Sequence, residues 1–176
     1  MRGEYIKIII DNEERNINLL NDFLFGKLFG ERGCEKETLH LINTFTKRNC
    51  TDLSFETNEM KGQHEGNKKS VTDVLVMTND GNIVNIESQI KKQEKFHKRT
   101  HFYDSSLNSV FLSAGENYNE LPLVITINIL GFNLHPLEKY HTTFKLTETT
   151  YKEYILDDVI ETHNIDLVKF RKSKIF

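Results

Sequence analysis

Cysteine and proline are both scarce in this sequence: Cys34 and Cys50 are its two thiols, and only two prolines occur in 176 positions. Two thiols are too few for a disulfide framework, and they form neither a CxxC pair nor a zinc-binding spacing, so a reducing cytoplasm is the expected compartment. With 38% hydrophobic and 28% charged residues beside so little proline, disordered and low-complexity classes are poor fits. Long apolar runs are missing as well. The longest, around "LPLVITINIL", is about ten residues where a spanning helix needs about twenty, and the N-terminus has no signal-peptide pattern. The expectation is a protein neither membrane-bound nor exported. Net charge is -3, so no global positive field announces a polyanionic partner, although local patches can act while the total stays near zero. The glycines form no phosphate loop and no dinucleotide fingerprint, and no GxSxG elbow is present, which leaves nucleotide-cofactor and triad chemistry unsupported. No internal repeat is visible, and the length fits one domain spanning 1–176.

What is present is hydrophobic periodicity of two kinds. In "NINLLNDFLFGKLFG" the positions Leu19, Leu20, Phe23, Leu24 and Leu28 keep helical spacing, predicting a helix from about Leu19 to Phe29 with Asn18 as cap and Gly30 as stop. A second helix is expected over Glu35 to Lys47, since Leu39, Ile42 and Phe45 lie three apart and two acids occupy its first turn. "LSFETNE" alternates as a strand. The longest helix is expected in "EKFHKRTHFYDSSLNSVFLSAG", with Phe96, Tyr103, Leu107, Val110 and Phe111 on one stripe and Gly115 ending it. "PLVITINIL" reads as a strand buried on both faces, and "TTFKLTE" and "VIETHNIDLVKF" as two further strands. This order predicts a mixed α/β layer structure.

The stretch "SVTDVLVMTNDGNIVNIESQ", residues 70 to 89, reads as two strands around a tight turn, with a carboxylate inside each. A two-residue loop at Asp80-Gly81 would pair Asp73 with Ser88 and send Glu87 to the other face. A three-residue loop, with Gly81 left-handed, pairs Thr78 with Asn82 and sets Asp73 opposite Glu87. The second is the expected register, and it puts Asp73, Glu87 and Gln89 on one face. Two opposed carboxylates repel unless a proton or cation bridges them. Mg²⁺ bridges carboxylates while leaving sites for water and substrate phosphate, which suits metal-assisted phosphodiester cleavage. The bland alternative is a pair of acids on a solvated sheet edge.

These segments resemble the PD-(D/E)XK nuclease superfamily, and specifically its transposase-like branch of recombination-promoting nucleases. The likeness spans nearly the whole chain: "NDFLFGKLFG" resembles the branch's N-terminal helix, "KSVTDVLVMTNDGNIVNIESQ" its catalytic hairpin, "KRTHFYDSSLNSVFLSAGENYNELPLVITINIL" its following helix and strand, and "LDDVIETHNIDLVKF" the segment beyond. The resemblance implies a restriction-endonuclease-like αβββαβ core with additional C-terminal strands. It implies Asp73 and Glu87 as metal ligands for Mg²⁺ (or Mn²⁺), Gln89 where many members have lysine, Asp22 as a further acidic site residue, and Arg99 with Tyr103 as pattern positions on the long helix. Read from the residues alone, Asp22 is equally a helix cap, and Arg99 and Tyr103 are four apart, able to present a guanidinium beside a ring or simply to pack. Thr72 replaces the proline of the superfamily name, and Gly26 stands before Lys27 where relatives are often basic. The chain also ends sooner after "DLVKFRKSKIF" than the family pattern, which is the expectation of a truncated copy.

Because Gln89 is neutral, Lys91 is expected to continue the same strand face and supply the charge. "KKQEKFHKR" gathers Lys91, Lys92, Lys95, Lys98 and Arg99 around the start of the long helix, which suits phosphate, although a solvated charged face is the ordinary reading of such a run. His97 and His101 have metal-ligand spacing, but "HKRTH" has no glutamate where a zinc protease needs its base. The expected function is a metal-dependent DNA endonuclease of the transposase type, with DNA as partner and Lys91, Lys92, Arg99 and Tyr103 contacting it. A two-fold homodimer would follow if both strands are cut. The competing class is a catalytically inactive DNA-binding or interaction domain, a relic keeping the nuclease fold.

Overall fold

Runs of β-branched and apolar residues such as "VLVM" and "VITINIL" favour a pleated surface packed on both sides, and they form the middle of a six-stranded sheet. A computed structural model describes residues 5–10, 13–57, 59–60, 70–71, 73–110 and 117–173. In chain order the elements are β1 (Tyr5–Ile10), β2 (Glu13–Asn18), α1 (Asp22–Phe29), α2 (Glu35–Thr46), β3 (Leu53–Phe55), the short strands β4 (Glu59–Met60) and β5 (Ser70–Val71), β6 (Val74–Thr78), β7 (Ile83–Gln89), α3 (Phe96–Val110), β8 (Val124–Leu130), β9 (His141–Lys145), β10 (Ile160–Asp166) and α4 (Leu167–Lys172). The main sheet runs β3-β6-β7-β8-β10-β9, while β1-β2 and β4-β5 pair separately. Strands β7, β8 and β10 are mutually parallel, and the flanking strands pair antiparallel. The path α2, β3, β6, β7, α3, β8 is the expected αβββαβ core, and β9 and β10 are the additional C-terminal strands.

One face of the sheet, carrying Val74, Val76, Val84, Ile86, Ile125, Ile127, Ile129 and Ile165, packs against Phe25 of α1 and Leu41 and Ile42 of α2. The other face receives α3, whose Leu107 packs on Leu75, Ile83 and Val124. That second face is unusually polar. Asn85, Thr126 and Thr162 form one cross-strand row, and Glu87, Asn128 and Asn164 the next. β8 is therefore buried on both faces as expected, yet Thr126 and Asn128 make the α3 side of its run polar. Burial under α3 rather than apolar character hides them.

Several boundaries depart from the sequence reading. The first helix begins at Asp22 rather than Leu19, because the side chain of Asn21, not Asn18, accepts the Leu24 amide as cap; Asn18 instead accepts the Leu20 amide at 2.9 Å. Gly30 does close the helix. "VIETHNIDLVKF" is a strand only to Asp166, whose side chain then caps α4 by accepting the Lys169 amide. The β1-β2 hairpin was not expected at all, since "YIKIII" and "EERNIN" carry no glycine or proline turn signal between them. Thr72, Phe111 and Gly115 lie outside the described residues.

Candidate active site

The β6–β7 turn sets everything else. Thr78 N–H donates to Asn82 O at 2.9 Å, Gly81 N–H donates to Thr78 O at 2.9 Å, and Gly81 has φ +80°, a conformation that glycine adopts without steric cost. This is the three-residue loop. Its pairs run Met77 with Ile83, Val76 with Val84, Leu75 with Asn85 and Val74 with Ile86, which leaves Asp73 opposite Glu87 one step further on. Asp73 stands just before β6 and turns its carboxylate onto β7, where Oδ2 accepts from the Ser88 amide at 2.7 Å and from Ser88 Oγ at 3.1 Å.

Glu87 is 3% exposed. Its Oε2 accepts from Arg99 Nη2 at 3.3 Å, while Oε1 is buried with no hydrogen-bond partner among the described residues. Burial first, and then the charge of Asp73, push the Glu87 carboxyl up to about 8, against the pull of Arg99. Asp73 is also raised, chiefly by burial and further by the charge of Asp22, while the Ser88 hydrogen bonds and Arg99 oppose the rise. The two carboxylates therefore feel each other strongly, and Arg99 is the cation that both feel. Asp22, at the exposed first position of α1, is close enough to add to the negative field at Asp73.

Arg99 sits in the first turn of α3 and holds the site together. Its Nη1 donates to Gln93 Oε1 at 2.6 Å, and Gln93 Nε2 donates to Gln89 Oε1 at 3.2 Å. The guanidinium carbon lies 5.3 Å from the Tyr103 ring centroid, a cation–π distance. Glu87, Arg99, Gln93 and Gln89 thus form one continuous chain. Gln93 was missed by the sequence reading, because it lies in a loop where no periodicity marks it. Lys91 does not continue the strand face as expected: β7 ends at Gln89, and Lys91 and Lys92 are exposed residues in the bend beyond. His97 and His101 belong to no group of three metal-ligating side chains among the described residues. His97 instead stacks on His135 with ring centroids 5.0 Å apart.

Among the described residues no three His, Cys, Asp or Glu side chains gather tightly enough to hold a metal ion by themselves. The Asp73–Glu87 pair still fits a divalent cation. An orphaned buried carboxylate oxygen beside a second carboxylate, with Arg99 as the one cation paired to Glu87 among the described residues, is a set that a further cation would complete, and hard divalent cations of the Mg²⁺ type need only one or two carboxylates, with water and phosphate as the other ligands.

The model of the PD-(D/E)XK nuclease family transposases matches residues 19–175. The chain belongs to that family. No curated protein and no solved structure matches it. The mixed α/β sheet with its αβββαβ path is the restriction-endonuclease-like fold that membership in the PD-(D/E)XK nucleases implies. Membership also carries nuclease-type function, DNA as the substrate class, and the general use of divalent metal ions by PD-(D/E)XK nucleases. Among the described residues no helix is long and apolar enough to cross a membrane.

Proposed function

We propose that the protein is a Mg²⁺- or Mn²⁺-dependent DNA endonuclease in which Asp73 and Glu87 hold the metal. The observation that carries this is Glu87 itself, a nearly inaccessible carboxylate with one oxygen unpartnered and another carboxylate raising its pKa. When bound there, the ion supplies an activated water and neutralises charge building on the phosphoryl oxygens. Asp73 and Glu87 fix where that charge sits. Asp22, at the rim, adds negative field on the same side. Gln89 is held by Gln93 with its amide at the end of β7, where it orients the attacking water but brings no charge of its own. Arg99 provides that charge from α3: its guanidinium reaches Glu87 and is steadied by Gln93 and the Tyr103 ring, which leaves it poised to donate to a phosphate oxygen. Lys91 and Lys92, exposed beyond the strand, hold the flanking backbone. Two copies related by a two-fold axis would be needed to cut both strands together.

The test is nicking of supercoiled plasmid by the purified chain with Mg²⁺ or Mn²⁺ and with chelator. Metal-dependent nicking that disappears in Asp73→Ala and Glu87→Ala, with both variants still folded by circular dichroism, supports the proposal. Metal-independent DNA binding without nicking by the parent identifies a non-catalytic relic instead.

A further inference from the structure

The parallel strands β7, β8 and β10 end at one edge of the sheet, with Gln89, Leu130 and Asp166 in register. Each leads into a further segment: those after β7 and β10 carry base, and the one after β8 a histidine. Beyond β7 come Lys91, Lys92 and Lys95; beyond β8 comes His135; beyond β10 comes α4 with Lys169, Arg171 and Lys172. Open α/β sheets bind ligands outside the carboxyl ends of their strands, and the Asp73–Glu87 site lies at this edge too.

The segments are tied together. Lys169 Nζ donates to His135 O at 2.7 Å and pairs with Asp166 at 3.0 Å, and the His135 ring stacks on His97 of α3. The field at this point is net positive: after burial, the charges of His97, Lys169 and Lys92 hold the His135 imidazole below its ordinary range, against Asp166. A cleft of about 590 Å³ opens between this loop and α4, with His135, Lys169 and Lys172 among its lining and Glu138 as its acid. Arg171 and Lys172 are exposed. At the opposite ends of these strands the segment between β9 and β10 carries four acids, Glu148, Glu153, Asp157 and Asp158, against Lys152.

We propose that the α4 edge is a second DNA-backbone site, in which Arg171 and Lys172 hold phosphates of the strand whose cleavable phosphate lies at Asp73–Glu87. The inference rests on the nuclease reading for its second half. Strands are spaced about 4.8 Å apart, so β10 stands about 10 Å from β7. Contacts to phosphates alone make binding at this edge indifferent to sequence.

Binding of a fluorescein-labelled 20-bp duplex, and of one of its single strands, is measured by anisotropy in chelator across a salt series, so that cleavage plays no part. Arg171→Gln/Lys172→Gln is compared with Lys36→Gln/Lys152→Gln, which removes two exposed charges elsewhere. The α4 pair is expected to weaken binding by roughly five- to tenfold per residue at about 0.1 M salt and to lower the salt slope by about two, while the control pair leaves both near the parent values. Unchanged affinity and slope in the α4 pair, an equal loss in the control, or no binding of either probe by the parent overturns the proposal. Plasmid nicking read in parallel separates the two ideas. A parent that nicks while the α4 pair binds undiminished leaves the nuclease and removes this site; a parent that never nicks, but whose binding falls in the α4 pair, does the reverse.

Discussion

Two buried glutamates in this sheet are opposites. Glu161 of β10, 4% exposed, accepts from Arg48 Nη2 at 3.1 Å, Lys145 Nζ at 3.0 Å and His163 Nε2 at 2.8 Å. The His163 hydrogen bond first, and then Lys145, hold its carboxyl down at about 2 despite burial. Glu87 of β7, 3% exposed, has Arg99 at 3.3 Å as its one ion-pair partner among the described residues and an oxygen without a hydrogen-bond partner there, and stands near 8. A buried charge with its partners in place is part of the fold. A buried charge left short of them is what the proposed metal site would use.

Removing each carboxylate should therefore have different consequences. Glu161→Ala strands Arg48, Lys145 and His163 around an empty position, and breaking a buried pair from one side costs about 3–5 kcal/mol; urea unfolding in chelator should show a loss of that size. Glu87→Gln should leave stability in chelator at or above the parent value at neutral pH, because the amide keeps the neutral form that burial favours at a carboxyl raised to about 8. Equal losses in the two variants would break the comparison.

The next effect is kinetic. If Arg99 provides what a lysine at position 89 would have provided, Arg99→Ala should lower the nicking rate by about 100- to 1,000-fold, the usual cost of one well-placed donor, with Arg99→Lys recovering part of it. A rate within threefold of the parent would move that role elsewhere. Lys91→Ala, lying past the end of β7, should change the salt dependence of nicking rather than its rate at saturating DNA.

A smaller effect tests the site as a receptor. A ligand that binds only the folded state at about a hundred times its dissociation constant stabilises by about 2.7 kcal/mol. Mg²⁺ at such a concentration should raise the melting temperature of the parent at pH 7.5 and leave that of Glu87→Gln unmoved. A shift of the same size in both would place the ion elsewhere.

The hairpin was legible in the sequence because glycine chemistry at Gly81 and the period of two together determine its register, and the register carries Asp73 and Glu87 with it. Both helices on the first face and the mixed α/β order were legible because apolar spacing is a packing requirement, whereas the αβββαβ path was implied by the family resemblance. What the sequence left dark has a common cause as well. Gln93, Asn21 and Asp166 act through single side-chain hydrogen bonds, and no periodicity encodes those. The polar rows under α3 were invisible for another reason: Asn85 and Asn164 look like solvent-facing alternation until α3 is known to cover them, and the reading of β8 as buried on both faces passed over the polar character of Thr126 and Asn128.

Within that polar layer Asp104 offers the smallest and most specific test of the comparison, as a third buried acid placed between the other two. Its side chain is 1% exposed and accepts from Thr126 Oγ1 at 2.5 Å. Burial raises its carboxyl to about 6, with the Thr126 hydrogen bond opposing, so it is better partnered than Glu87 and worse than Glu161. Between its ordinary value of 3.8 and about 6, the folded chain keeps a proton that the unfolded chain has released. Stability from this group is therefore full below the lower value, falls as pH rises through the window, and is level above it. At about 1.4 kcal/mol per pK unit the change is on the order of 3 kcal/mol. Asp104→Asn keeps the neutral shape at every pH, so the parent's stability relative to that variant should decline between about pH 4 and pH 6 and then stay flat. A difference that is constant, or that grows with pH, would show that Asp104 is ionised from the start and that α3 rests on a charge the sheet already compensates.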